Sequence, residues 1–197
     1  MRVALYFGSF NPPHQGHAAI AGYLYESSRF SEVRIVLSPQ NPLKDKNILL
    51  EDSKRIAMVK AWTDAVPYLS LSTIEFEMER PSYTYLTLRK MRQQETGTDF
   101  VLVMGADSLY NFPRWRAFEE IAREHELCVY PRDGYDIHAA RTALLKLFPE
   151  ARVSVLEAPL YPYSSTEIRR MLQAGEDISG KVPAEVLAYI QENDFYR

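Results

Sequence analysis

The sequence lacks three features that would place it in large classes of protein. Only one of its 197 residues is cysteine, so it can form neither an internal disulfide nor a cysteine zinc cluster, as expected of a cytoplasmic protein. No apolar run approaches the length that crosses a bilayer, so no membrane partner is expected. The formal net charge is −3, which disfavours a broad nucleic-acid-binding surface.

Two common nucleotide-binding patterns are also missing. The dinucleotide fingerprint Gly-x-Gly-x-x-Gly does not occur. Residues 175–181 have the glycine and lysine spacing of a P-loop, but Val182 occupies the position that requires a magnesium-binding Ser or Thr. A predicted helix, instead of a strand, also precedes this stretch. We therefore expect a helix end and a turn there.

Strand-like and helix-like segments alternate along the chain. Strands are predicted over residues 2–7, 33–37, 69–76, 100–104, 127–130 and 153–157, and helices over 17–27, 52–65, 84–95, 117–124, 137–147, 165–174 and 184–191. Strands rich in Val, Ile and Leu that alternate with helices predict an α/β fold, a doubly wound and mostly parallel sheet with helices on both faces. The length suits a single domain over residues 1–197, with a small C-terminal helical portion from about residue 163.

The stretch between the first predicted strand and the first predicted helix carries the clearest chemical signal. It reads Gly-Ser-Phe-Asn-Pro-Pro-His-Gln-Gly-His over residues 8–17, and we call it the first loop. A strand-to-helix junction collects unpaired backbone N–H groups and the positive end of a helix dipole, which favours an anion. His14 and His17 add donors that are neutral or cationic near pH 7. The first loop is therefore predicted to bind a nucleotide triphosphate.

Two separated motifs carry a resemblance to a known family. The first loop resembles the G-[ST]-F-[DN]-P-x-H-x-G-H signature of the nucleotidyltransferase superfamily, and residues 163–169, Tyr-Ser-Ser-Thr-Glu-Ile-Arg, resemble its I-S-S-T-x-I-R element. Within the superfamily, the chain is most similar to the bacterial nicotinate-nucleotide adenylyltransferases. That similarity extends over residues 80–88, 104–109, 112–115 and 132–135 and over the closing segments 189–190 and 195–197.

The resemblance implies a Rossmann-like nucleotidyltransferase fold and transfer of the AMP part of ATP to nicotinate mononucleotide, with release of pyrophosphate. It implies that His14, His17 and Arg169 are catalytic and that Mg²⁺ enters with ATP. Either Ser165 or Thr166 is expected to be the N-cap of the helix in the second motif. The implied ATP-binding set is Gly8, Ser9, Phe10, Asn11, His14, His17, Gly105, Asp107, Ser164, Ser165, Thr166 and Arg169.

The acceptor side is predicted from scattered residues. An indole in a loop can stack on a pyridine ring, and a carboxylate just beyond a strand can hold a ribose hydroxyl. The candidates are Asp107, Trp115, Lys44 and Arg132, and the resemblance adds Tyr83 and Thr84, whose backbone groups are implied to approach the nicotinate carboxylate. Lys44 lies in a polar, proline-containing stretch over residues 40–47 that is typical of a long surface loop. A homo-oligomer is compatible with the sequence.

Alternatives to this function stay open at this point. The acceptor is alternatively nicotinamide mononucleotide or another phosphate, since the two mononucleotides differ by one charge on the ring substituent. A different class of function, a nucleotide-binding regulator without turnover, is less well supported because both motifs are intact. Asn11 stands where many relatives have Asp, so the sequence assigns no metal or acid role to that position.

Overall fold

The computed structural model describes residues 1–39 and 50–196, and Lys44 and the loop predicted over residues 40–47 lie outside these residues. Among these residues, six strands form one sheet: β1 (Arg2–Gly8), β2 (Glu32–Leu37), β3 (Leu69–Ser72), β4 (Asp99–Gly105), β5 (Glu126–Tyr130) and β6 (Val153–Val155). Every strand pair in the sheet is parallel, and the order is β3-β2-β1-β4-β5-β6. The predicted doubly wound α/β fold is confirmed.

Within the described residues, eight α-helices accompany the sheet. They are α1 (Gln15–Glu26), α2 (Asp52–Asp64), α3 (Thr84–Gln94), α4 (Ala106–Asn111), α5 (Phe118–Glu124), α6 (Ile137–Leu147), α7 (Ser165–Gln173) and α8 (Ala184–Glu192). Among the described residues, no helix is long and apolar enough to cross a membrane.

The sheet separates two apolar layers because successive side chains of a strand point to opposite faces. In β1, Ala4 and Tyr6 pack in the layer that contains residues of α1, α2, α7 and α8, whereas Val3 and Leu5 pack in the layer that contains residues of α3 to α6. The single cysteine, Cys128, is buried. The carboxyl ends of β1 and β4 lie side by side at the centre of the strand order, where a fold of this kind binds ligands.

Four local predictions are wrong. The sixth strand ends at Val155, two residues before its predicted end. The third strand ends at Ser72, and a 3-10 turn over Ile74–Glu77 replaces its predicted second half. The helix α4 was not predicted; it follows β4 directly and continues into a 3-10 turn over Phe112–Arg114, a stretch predicted as loop. The helix α1 begins at Gln15, two residues before its predicted start.

Residues 175–181 form a helix end and turn, as predicted. Gly175 has φ of 70°, in the left-handed region that favours glycine, directly after α7. The Gly175 N–H donates to the Leu172 carbonyl oxygen at 3.1 Å, and the Glu176 N–H donates to the Met171 carbonyl oxygen at 2.8 Å. These bonds close the last turn of α7 and leave no phosphate-binding loop there.

Candidate active site

The side chain of Phe10 supports the first loop from the core side. Phe10 has φ of 42° and is 1% exposed, and its ring centroid lies 5.6 Å from that of Tyr6 and 4.9 Å from that of His17. A Cβ added at Gly8 would lie 2.9 Å from Cε2 of this ring, so glycine is required at the end of β1. Since the Phe10 side chain is buried, its predicted contact with ATP would involve its main chain.

The two histidines of the first loop lie against each other at the start of α1. His14 is the N-cap residue, and its ring stacks on that of His17 with a centroid distance of 3.7 Å and an interplanar angle of 22°. The His14 backbone N–H donates to Nδ1 of His17 at 3.2 Å. This bond assigns the hydrogen of a neutral His17 ring to Nε2, because Nδ1 acts as the acceptor.

The environment of His14 keeps its ring neutral. Burial, and then the positive charge of Arg132, lower the pKa of His14 from 6.5 to about 4. The sequence left neutral and cationic forms open, and the structure selects the neutral one near pH 7. Among the described residues, Nδ1 of His14 is buried and has no hydrogen-bond partner. A buried polar atom without a partner indicates a place where a polar ligand completes the site.

The second motif contacts the first loop directly. The Oγ of Ser165 donates to the Pro12 carbonyl oxygen at 2.9 Å, and Nη1 of Arg169 donates to the Asn11 carbonyl oxygen at 2.8 Å. The other Arg169 amino group, Nη2, lies 3.3 Å from the Thr166 hydroxyl. The two motifs, about 150 residues apart in sequence, therefore form one surface.

The N-cap of α7 differs from the prediction. Ser164 is the N-cap residue, and its Oγ accepts a hydrogen bond from the Glu167 N–H at 3.1 Å. Ser165 and Thr166 are instead the first two helical residues. Their backbone N–H groups lie in the first turn, where an α-helix has no internal acceptors for them. The start of α7 beside Arg169 therefore still attracts an anion.

A carboxylate and a guanidinium meet at the end of β4. Nε of Arg132 lies 3.5 Å from Oδ1 of Asp107, and both side chains are partly exposed. The approach depends on Gly105, because a Cβ there would lie 2.4 Å from the Asp107 Oδ1 and 2.9 Å from the Arg132 Cγ. Arg132 also acts electrostatically on His14, which places this pair beside the first loop.

Two of the remaining predicted acceptor residues begin α3, and the third lies in a neighbouring turn. Tyr83 is the N-cap of α3 and Thr84 is its first residue. The guanidinium carbon of Arg116 lies 5.0 Å from the centre of the Tyr83 ring, which places the turn around Trp115 next to α3. Trp115 is half-buried and packs edge-on against Phe112 with a centroid distance of 5.5 Å. Its predicted stacking on a pyridine ring stays a prediction.

Two buried charged residues were missed by the sequence analysis. Arg55 is fully buried in α2 and donates a hydrogen bond to the Ser9 carbonyl oxygen of the first loop at 3.1 Å. Glu75 is 3% exposed and accepts hydrogen bonds from the hydroxyls of Ser82 at 3.1 Å and Thr87 at 2.8 Å, on both sides of the α3 start. The burial of Arg55 could have been predicted from its position, since it shares one helix face with apolar residues at 58, 59 and 62.

No protein-built metal centre is evident in the part of the chain that the structure describes. Within residues 1–39 and 50–196, no group of three or more His, Cys, Asp or Glu side chains is placed to hold a metal ion.

Comparison with known proteins identifies the family. The cytidylyltransferase-like family model matches residues 5–171. A curated protein of Flavobacterium johnsoniae, named a probable nicotinate-nucleotide adenylyltransferase, is 36% identical over 100% of both chains. One of the same name from Bacteroides thetaiotaomicron is 35% identical over 98% of this chain and 92% of its own length. The chain belongs to the nicotinate-nucleotide adenylyltransferases, within the cytidylyltransferase-like family.

Solved structures of this family share the fold. The structure of Plasmodium falciparum nicotinic acid mononucleotide adenylyltransferase complexed with NaAD superposes with a TM-score of 0.77, covering 99% of this chain and 97% of that one at 19% identity. The resemblance stated from the two motifs is thus confirmed, both for the family and for the nucleotidyltransferase fold.

Proposed function

We propose that the protein transfers the adenylyl group of ATP to nicotinate mononucleotide, forming nicotinate adenine dinucleotide and pyrophosphate, a step of NAD biosynthesis. An oxygen of the mononucleotide phosphate attacks the α-phosphorus of ATP. The bond from that phosphorus to the oxygen that bridges the α- and β-phosphates breaks, and pyrophosphate leaves with the bond electrons. No covalent bond to the protein is needed.

The observation that carries this proposal is the meeting of the first loop with the start of α7. One surface then presents the His14 and His17 rings, the Arg169 guanidinium and the first-turn N–H groups of α7. Such donors suit the several anionic oxygens of a triphosphate. The unpartnered Nδ1 of buried His14 supports a polar ligand at this place.

The chemistry needs two anionic groups to be held in line while charge moves onto pyrophosphate. Positioning and electrostatic stabilisation supply most of the catalysis in such a transfer. A neutral His14 donates a hydrogen bond without carrying a full charge, and an arriving phosphate raises its pKa because opposite charges favour the protonated form. Arg169 binds the triphosphate as a permanent cation.

The acceptor is proposed to lie between the Asp107–Arg132 pair and the start of α3. Asp107 would accept a hydrogen bond from a ribose hydroxyl, and Tyr83 and Thr84 would present backbone groups to the nicotinate carboxylate.

ATP is proposed to enter as its complex with Mg²⁺, held mainly by phosphate oxygens and water. We propose the cytoplasm as the location of the reaction.

The acceptor preference is tested with the purified protein, ATP and each mononucleotide. Formation of dinucleotide by chromatography and release of pyrophosphate give kcat/KM for nicotinate and nicotinamide mononucleotide. We expect the nicotinate form to be preferred by about tenfold or more, because one buried charge interaction distinguishes the two rings. Equal or better use of the amide would refute the nicotinate assignment.

The role of the histidines is tested by two variants of one residue. His17→Ala is expected to lower kcat by about a hundredfold or more, through the loss of a donor to the transferring phosphate. His17→Asn keeps an acceptor near the Nδ1 position for the His14 N–H but lacks Nε2, so it should lose activity equally. His138→Ala, at an exposed histidine of α6, is the control. Recovery of activity in His17→Asn would show that His17 acts only by capping α1.

A further inference from the structure

The C-terminal end of the chain lies against the first loop. The hydroxyl of Tyr196 donates a hydrogen bond to the Asn11 Oδ1 at 2.7 Å, across a separation of 185 residues. The preceding residue, Phe195, is 6% exposed and packs in the apolar layer under α1, α2, α7 and α8, with its ring 5.8 Å from that of Tyr189. The buried Phe195 side chain therefore holds the C-terminal segment in place, with Tyr196 next to the first loop.

Asn11 is the point where three other segments meet the first loop. Its side-chain oxygen also accepts a hydrogen bond from the Leu50 N–H at 3.2 Å, and its main-chain carbonyl oxygen accepts the bond from Arg169. The residue is 1% exposed. A rotation of the Asn11 peptide would therefore shift the carbonyl oxygen that orients Arg169, and the side-chain bonds oppose that rotation.

The surroundings of Tyr196 keep its hydroxyl a donor. Burial raises the pKa of Tyr196 well above its usual value, while the nearby guanidinium groups of Arg169 and Arg55 act in the opposite direction. The hydroxyl is therefore protonated near pH 7. The bond to Asn11 persists because its donor does not ionise.

We propose that Tyr196 is a positioning residue, which fixes Asn11 and, through the Asn11 carbonyl oxygen, holds Arg169 in the orientation that binds the triphosphate of ATP. This inference rests on the proposed function, in which Arg169 and the first loop bind ATP. The closing segment that contains Phe195 and Tyr196 then has a role in the reaction, which Tyr196 exerts through Asn11 and Arg169.

The test is Tyr196→Phe, which removes one hydroxyl and keeps the ring. We expect kcat/KM for ATP to fall about five- to tenfold, the change expected when one buried hydrogen bond is lost. The ATP dissociation constant measured by calorimetry should rise in the same sense. The KM for the mononucleotide should stay within about twofold, because the acceptor contacts are elsewhere. Tyr25→Phe makes the same chemical change at an exposed tyrosine in the last turn of α1, away from the first loop, and should leave these constants unchanged.

A structural role alone would give a different result. The proposal would be overturned if Tyr196→Phe lowered the melting temperature and changed the KM values for ATP and the mononucleotide equally. An unchanged ATP dissociation constant would overturn it as well. In an Asn11→Ala background, Tyr196→Phe should have little further effect on kcat/KM for ATP; additive losses would also overturn it. If the unaltered protein formed no dinucleotide, the proposed function would fail, while the calorimetric affinity for ATP would still decide the role of Tyr196.

Discussion

Replacement of Arg55 by Met is expected to destabilise the protein strongly, because its fully buried guanidinium joins three segments of the chain by hydrogen bonds. All five of its N–H donors have an acceptor within 2.6–3.1 Å. The acceptors are the carbonyl oxygens of Ser9, Ser38, Pro39 and Leu50 and the carboxylate of Asp52. The side chain therefore ties the first loop to the end of β2 and the start of α2.

The magnitude follows from what the substitution leaves behind. Methionine fills a similar volume but donates no hydrogen bond, so four carbonyl oxygens lose their partner. Asp52 keeps its bond to Arg80 at 2.8 Å and is partly exposed, so its own penalty is small. Removing one side of a buried charged network costs about 3–5 kcal/mol. In a chain of this size, that loss corresponds to a fall in melting temperature of roughly 6–20 °C.

Thermal and urea unfolding of Arg55→Met and Arg89→Met provide the measurement with a matched control. Arg89 also pairs with a carboxylate, at 2.5 and 2.6 Å from Glu120, and its loss changes the net charge identically. Its side chain is 52% exposed, and exposed ion pairs contribute little, so we expect a shift below about 3 °C. Equal shifts in the two variants would refute the assignment of Arg55 as a buried junction.

Two further predictions concern His14 and Gly105. Because the folded pKa of His14 is about 4, the unfolded chain binds one more proton between pH 6.5 and 4, and stability falls as the pH is lowered through that window. Between pH 7 and 4.5 the free energy of unfolding should therefore fall by about 2 kcal/mol more in the unaltered protein than in His14→Asn. Urea titrations at the two pH values measure both falls, and equal falls would contradict this. Gly105→Ala should raise the KM for the mononucleotide by about tenfold as the Asp107–Arg132 pair is displaced. Gly22→Ala, which has room for a Cβ, is its control, and equal KM values would contradict the prediction.

The strand and helix pattern was predictable where apolar periodicity was long and failed where it was short. Leu69 and Leu71, and then Ile74 and Phe76, are spaced two residues apart as in a strand, but the spacing between the two pairs is three residues. The chain turns there, after Ser72, and the buried Glu75 carboxylate accepts hydrogen bonds from two hydroxyls. The helix α4 is six residues long, which is too short to show a helical period. The N-cap of α7 was predicted one or two residues too late, at Ser165 or Thr166 instead of Ser164, because three adjacent residues all have hydroxyl side chains.

The sequence by itself determined the α/β alternation, the position of the first loop at a strand-to-helix junction and the family to which both motifs point. These properties depend on local periodicity and on residue types a few positions apart. Only the tertiary structure decided that Arg169 holds Asn11, that Arg55 and Tyr196 support the same loop, and that His14 is neutral. Contacts between distant segments depend on how helices pack on the sheet, and a pKa depends on burial and neighbouring charges more than on residue type. The first loop is therefore recognisable in the sequence, whereas the residues that hold it in shape are not.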